Sequence, residues 1–162
     1  MNTILVAKVL CLLAAANGAP VIARKLFGDR FSWPVDGGRT LYDGRPVFGR
    51  SKTVRGIVVS VAATVLGAVA LGIPARTGLA FAAASMAGDL LSSFIKRRLG
   101  MAPSSMALGL DQLPESVLPL IICWQVLGLT LADAVAIVVG FFVGELLLSR
   151  LLYRLHLRDR PY

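Results

Sequence analysis

The sequence predicts an all-α fold: one integral membrane domain, residues 1–162, built as a bundle of about five transmembrane helices. Three observations predict it. Hydrophobic residues make up 56% of the 162 and charged residues only 16%, at a mean hydropathy of +0.74. A soluble domain this small coats itself with charge on about a quarter of its residues. The apolar residues also fall into stretches near the ~20-residue length of a bilayer crossing. The basic residues gather in segments that a five-span chain puts on one side.

The composition excludes a disordered chain as well as a water-soluble one. The net charge is +8. A basic, oily chain suits anionic lipid or phosphate, and no nucleic-acid partner is expected. Cys11 and Cys123 both lie in apolar runs, so neither a disulfide framework nor a zinc spacing is present.

The first span covers about residues 3–22. Residues 10–19 also have the look of a cleavable signal, but no basic cluster precedes them and Lys8 sits inside the run, so a retained span is expected. The second span, 57–73, has no charge, and the third, 77–95, contains only Asp89. The apolar stretch from 116 to 152 would be roughly 55 Å long as one helix, too long for one crossing. It is expected to break near residues 128–133, where Thr130 or Asp133 can cap a new helix, giving spans at 116–131 and 133–152.

A basic loop, 24–55, joins the first two spans, and Lys96, Arg97 and Arg98 follow the third. With Arg150, Arg154, Arg158 and Arg160 in the tail, fifteen of the seventeen basic residues share one side; Lys8 and Arg76 are the others. Positive residues collect in cytoplasmic loops, which puts the amino end outside, the carboxyl end inside and the basic face in the cytoplasm of an inner membrane. A four-span chain would put the four tail arginines on the wrong side.

Asp89 is the first residue that suggests chemistry. At about 100° per residue, Ser85, Asp89, Ser92 and Lys96 fall within about 60° on one helix face. An acid inside a membrane helix is costly and marks function by default. It could hold Mg²⁺ while Lys96 and Arg97 bind phosphate oxygens, or it could pair with a lysine or serine to lock helices. Asp111 precedes the fourth span at the level of Lys96. It reads as a second acid for metal-assisted transfer or as a favourable helix-start acid.

The loop alternates Asp36-Gly37 and Asp43-Gly44 turns with arginines, then enters the second span through Gly49, Arg50, Ser51, Lys52, Thr53, Val54, Arg55 and Gly56. Glycine lets backbone N–H groups approach phosphates, and Lys and Arg supply charge. The segment lacks the second glycine and preceding strand of a P-loop. Without a phosphate ligand it would be a basic loop resting on headgroups. Asn17, before Gly18, Ala19 and Pro20, could reach the site or cap a helix break. Glu145 lies deep in the fifth span, and Gly140 and Gly144 offer a packing face, including for a homo-oligomer. His156 is alone in a basic tail, so no triad can be built on it.

Taken in order, Asn-Gly-Ala-Pro, Asp-Gly-Gly-Arg with Asp-Gly-Arg-Pro, Phe-Gly-Arg-Ser-Lys-Thr-Val-Arg-Gly, Gly-Asp-Leu-Leu-Ser-Ser-Phe-Ile-Lys-Arg-Arg-Leu-Gly and Asp-Gln-Leu-Pro resemble the CDP-archaeol synthase family across residues 17–114. The resemblance implies a Mg²⁺-dependent membrane cytidylyltransferase joining CTP to a lipid phosphate. A more distant similarity links it to phosphatidate cytidylyltransferases, whose Ser-x-x-Lys-Arg is matched by Ser93, Lys96 and Arg97, and whose Asp-Arg pair is matched in part by Asp111-Gln112. Their Lys-Asp and Pro-Gly-His-Gly-Gly elements are missing between residues 100 and 110. The spacing of the CDP-alcohol phosphotransferases is absent as well.

On this resemblance Asp89 and Asp111 would hold Mg²⁺. Asp89, Lys96 and Asp111 form the expected catalytic set. Lys52, Thr53, Arg55, Ser93, Arg97 and Asn17 would bind CTP and phosphate, and Asp36 and Asp43 would join them by contacting cytidine, orienting arginines or shaping the loop. The competing expectation is a non-catalytic membrane protein, a small transporter subunit or scaffold, whose basic face binds anionic lipid.

Overall fold

The computed structural model describes residues 1–154, with side chains through Arg150. The side chain of Arg154, with His156, Arg158 and Arg160, lies outside the described residues. Among the described residues five helices form: α1 (Thr3–Phe27), α2 (Val54–Ala70), α3 (Ala75–Arg98), α4 (Gln112–Leu127) and α5 (Leu131–Arg154).

α1 starts at Asn2, whose side chain accepts the Leu5 N–H. It runs straight through Pro20 and ends five residues beyond the expected span, after Arg24 and Lys25. Basic side chains at a helix carboxyl end favour that extension. Pro20 cannot donate to the carbonyl four residues back. That carbonyl belongs to Ala16, and the Ser60 hydroxyl of α2 donates to it at 2.7 Å. A neighbouring helix thus repairs the gap left by proline.

Thr53 caps α2 by accepting the Gly56 N–H at 3.1 Å. α2 ends at Leu71, whose carbonyl accepts the Lys8 ammonium at 2.7 Å. α5 starts with a reciprocal cap: Asp133 Oδ2 accepts the Thr130 hydroxyl at 2.6 Å, and the Asp133 N–H donates back at 3.2 Å. Asp133 Oδ1 also accepts the Asn2 N–H at 2.7 Å. The start of α1, the end of α2 and the start of α5 therefore meet at one end of the bundle. The loop, the end of α3 and the start of α4 meet at the other.

Successive helices pack on one another, and α5 closes the ring against α1. The core joins Val9, Leu12 and Leu13 of α1 with Phe81 of α3, Leu120 of α4 and Ile137 of α5. α3 sits closest to its neighbours. A Cβ on Gly88 would stand 2.2 Å from the Pro114 carbonyl oxygen of α4, and one on Gly78 would stand 2.6 Å from the Ala68 Cβ of α2. Gly140 meets Leu10 of the same chain at 3.4 Å, whereas Gly144 faces open space.

α1, α3 and residues 131–150 of α5 are long and apolar enough to cross a membrane. α2 and α4 are apolar but shorter, at 17 and 16 residues. Both still present large apolar side chains outward, Val58 and Leu66 on α2 and Ile121, Ile122 and Val126 on α4. Between α4 and α5 lies a wholly apolar pocket walled by Leu120, Trp124, Ala134 and Val138.

Candidate active site

The end of α3 is unusually polar for a membrane helix. Ser92, Ser93, Lys96 and Arg97 are all buried there. Burial of such groups demands partners: Ser92 donates to the Gly88 carbonyl of its own helix at 3.0 Å, and residues 102–111, between α3 and α4, meet Lys96 and Arg97.

The loop is first folded on itself. Short antiparallel bridges join Pro34 to Thr53 and Thr40 to Pro46. Asp36 staples the two turns together: Oδ1 accepts the Gly38 N–H at 2.9 Å, and Oδ2 accepts those of Phe48 and Gly49 at 2.9 and 3.0 Å. Partial burial pushes the Asp36 carboxyl up, but these backbone donors outweigh it and hold the group below its ordinary value. Asp43 behaves alike. Desolvation raises it, and the Arg45 N–H and the Arg98 guanidinium bring it below the usual carboxylate value.

The folded loop then docks on α3. Arg98 donates to Asp43 Oδ1 at 2.6 Å and to the Pro46 carbonyl at 2.5 Å, while Arg45 donates to the Arg98 carbonyl at 2.6 Å. The Arg98 guanidinium lies 5.3 Å from the Phe94 ring centroid, and Phe48 meets Phe94 edge-on. Docking brings Lys52 onto Asp89: Nζ stands 2.5 and 2.6 Å from the two carboxylate oxygens.

A second ion pair forms between α3 and α4. Lys96 Nζ is 2.5 Å from Asp111 Oδ1 and donates to the Ser105 carbonyl at 3.0 Å. Asp111 Oδ2 accepts the Ala107 N–H at 2.8 Å, so it ties down the connector and leaves the α4 cap without a side-chain bond. Arg97 donates to the Ala102 carbonyl at 2.8 Å.

The expected residues therefore divide into two groups. Lys52, Asp89, Lys96 and Asp111 form charged pairs beside the loop. Asp36 and Asp43 hold the loop's shape, and Thr53 caps α2. Arg55 clasps the carbonyls of Gly28 and Arg30, and Asn17 donates to Leu13 in its own helix at 3.1 Å. Ser93 is buried in α3. One acid is new. Glu115, buried in the first turn of α4, lies within electrostatic reach of Asp89, Glu145, Lys52 and Asp111. Its four-residue spacing from Asp111 was the available signal, since residues four apart share a helix face.

Among the described residues, no three Asp, Glu, His or Cys side chains converge as a metal cage. Hard carboxylate oxygens nonetheless suit Mg²⁺, which is commonly held by one or two carboxylates together with substrate phosphates. The donor chemistry of Asp89 and Asp111 fits such a site.

Known proteins are similar to this chain in sequence, and a solved structure is similar to it in fold. The CDP-archaeol synthase of Sulfurisphaera tokodaii is 35% identical over 80% of this chain and 81% of its own length. That of Pyrobaculum calidifontis is 37% identical over 91% of this chain and 90% of its own. A solved structure of an intramembrane enzyme for archaeal membrane lipids biosynthesis superposes with a TM-score of 0.67 at 31% identity, over 85% of this chain and 90% of that one. The "CarS-like: CDP-archaeol synthase" family matches residues 1–162, and the chain belongs to that family.

Proposed function

We propose that the protein is a membrane cytidylyltransferase that transfers a cytidylyl group from CTP to a lipid phosphate, with the paired charges at the end of α3 as its site. A lipid phosphate oxygen attacks the α-phosphorus of CTP. The bond to the β-phosphate oxygen breaks, and pyrophosphate leaves beside the CDP-lipid. A phosphate monoester is largely ionised near neutral pH, its second pKa being about 6, so no strong general base is required. Positioning and charge neutralisation carry such transfers.

The residues fit those tasks. Lys52 and Lys96 already sit on carboxylates and can turn to phosphate oxygens. Arg97 and Ser93 lie beside them on α3, while Asp36, Asp43, Thr53 and Arg55 keep the loop in place. Asp89 and Asp111 would hold Mg²⁺, with Glu115 nearby, and the ion would supply neutralisation of phosphate charge there. An archaeol-type chain is the lipid that the relatives' names suggest. Five crossings, with the site-bearing end in the cytoplasm, agree with the side on which Arg and Lys gather.

The observation that carries this reading is the Lys52–Asp89 pair, which brings the basic loop onto an acid of a membrane helix. A non-catalytic lipid-binding scaffold needs only a solvated basic face. The test is incubation of the purified protein with labelled CTP, Mg²⁺ and a panel of lipid phosphates. Labelled lipid is expected. Its absence across ether and ester, isoprenoid and straight-chain lipids would overturn the assignment.

A further inference from the structure

The turn that follows α1 exposes its aromatic side chains. Phe31 and Trp33 are 62% and 69% exposed and touch each other edge-to-face, with centroids 6.3 Å apart. They continue an uncovered apolar strip from the end of α1, where Ile22 and Leu26 are exposed. Arg24 and Arg30 are exposed in the same segment.

The turn is also held in a costly conformation. Phe31 has φ +57°, a genuine outlier for a bulky residue. Arg55 fixes the peptide before it by donating to the Arg30 carbonyl, and it donates to the Gly28 carbonyl at 2.9 Å. Strain of this kind persists only where the surroundings enforce it. Here it directs a large apolar ring away from the protein, so nothing inside the fold recovers its burial.

Trp33 is tied directly to the site. Its carbonyl accepts the Val54 N–H at 2.9 Å, and the Val35 N–H donates to the Lys52 carbonyl at the same distance. Two backbone hydrogen bonds therefore couple the aromatic turn to the segment that carries Lys52.

We propose that Phe31 and Trp33 anchor the loop in the headgroup zone of anionic lipids, on the membrane that α1 enters, and so set Lys52 at the depth of the lipid phosphates. The amphipathic indole of Trp33 settles at that level, the apolar Phe31 ring packs edge-on against it, and the neighbouring arginines complement anionic headgroups. The lipid anchor rests on the membrane-spanning reading of α1, which the quenching measurements test alone, and the depth-setting of Lys52 rests on the proposed cytidylyl transfer.

The two tryptophans, Trp33 and Trp124, make a direct test. In the Trp124→Phe variant all tryptophan emission comes from Trp33. The variant is placed in nanodiscs with and without phosphatidylglycerol. Brominated acyl chains are expected to remove most of the Trp33 emission, aqueous iodide to have little effect, and the anionic discs to shift the emission further to the blue. If Trp124→Phe does not fold, the difference spectrum between the parent protein and Trp33→Phe reads the same signal. Strong iodide quenching with no bromine effect would overturn the anchor. Shielding from both quenchers would overturn it in favour of contact with a second protein copy. Trp33→Ser is expected to raise KM for the lipid phosphate several-fold and leave KM for CTP unchanged. An unchanged lipid KM would overturn the depth-setting role even if the ring is in lipid.

Discussion

Lys52 and Asp89 are 37 residues apart in sequence, yet the lysine ammonium sits symmetrically on both oxygens of the carboxylate, at 2.5 and 2.6 Å. Each side chain is about one-quarter exposed, at 23% and 25%. The pair is therefore partly open to solvent. Its structural role and its proposed chemical role can be separated.

Asp89→Asn is expected to abolish CTP-dependent turnover in a protein that still inserts. It leaves Lys52 without its charge partner, at a cost below the ~3–5 kcal/mol of breaking a fully buried pair. The double variant Lys52→Met with Asp89→Asn removes both charges and is expected to recover most of that stability without activity. Detergent-solubilised thermal unfolding read beside turnover checks both outcomes. Full activity in Asp89→Asn would refute the role of the carboxylate.

Gly88→Ala tests the seam that positions the two acids. An added Cβ would stand 2.2 Å from the Pro114 carbonyl oxygen and 2.6 Å from the Glu115 Cα, and rigid backbone cannot yield as a flexible side chain can. Overpacking of this kind costs typically ~1–3 kcal/mol, and it would push Asp111 and Glu115 away from α3. A fall in both melting temperature and turnover is expected. Gly144→Ala, in open space, is the control and should change neither.

Helix periodicity was enough to place Asp89 and Lys96 on one face, because both belong to a single helix. The all-α bundle was legible from hydropathy for the same local reason. The end of α1 was not, since the apolar run stops near Ile22 while Arg24 and Lys25 favour a longer helix by completing its carboxyl end. Partners fixed by long-range folding were also hidden. Nothing local shows that Ser60 repairs the break at Pro20, or that Arg55 clasps carbonyls across the α1–α2 turn. Glu115 is hard to tell apart in the sequence, because a first-turn acid after Pro114 matches ordinary helix-start chemistry.

Asp36 gives the loop a pH dependence of definite sign. Its pKa in the folded protein lies below the ordinary aspartate value. The unfolded chain binds the proton more readily, so the carboxylate's contribution is complete above about pH 4 and is lost as pH falls through the folded value. Hydrogen exchange at the Phe48 and Gly49 amides, the donors to Oδ2, is the measurement. Asp36→Ala is expected to speed their exchange near neutral pH. Correcting for intrinsic exchange, the gap from the parent should close below the folded pKa. A gap that persists there would show that the carboxylate charge is not what holds the two turns together.

Glu115→Gln addresses the acid that the fold adds to the expected pair. The substitution keeps the side chain's size and shape, so a buried position at 5% exposure remains filled and the bundle should stay folded. It removes an ionisable carboxyl group within reach of Asp89 and Asp111, one that a divalent cation at those carboxylates would draw into its charged form, so cation binding there should become less favourable. The midpoint for Mg²⁺ activation is expected to rise by about tenfold, the low end of the range for groups surrounding metal ligands. Mn²⁺ binding, followed by electron paramagnetic resonance without nucleotide, should weaken in parallel. If Mn²⁺ binding is unchanged while activity falls, Glu115 acts on the substrate phosphates or on packing. If neither changes, the charge of Glu115 has no part in the site.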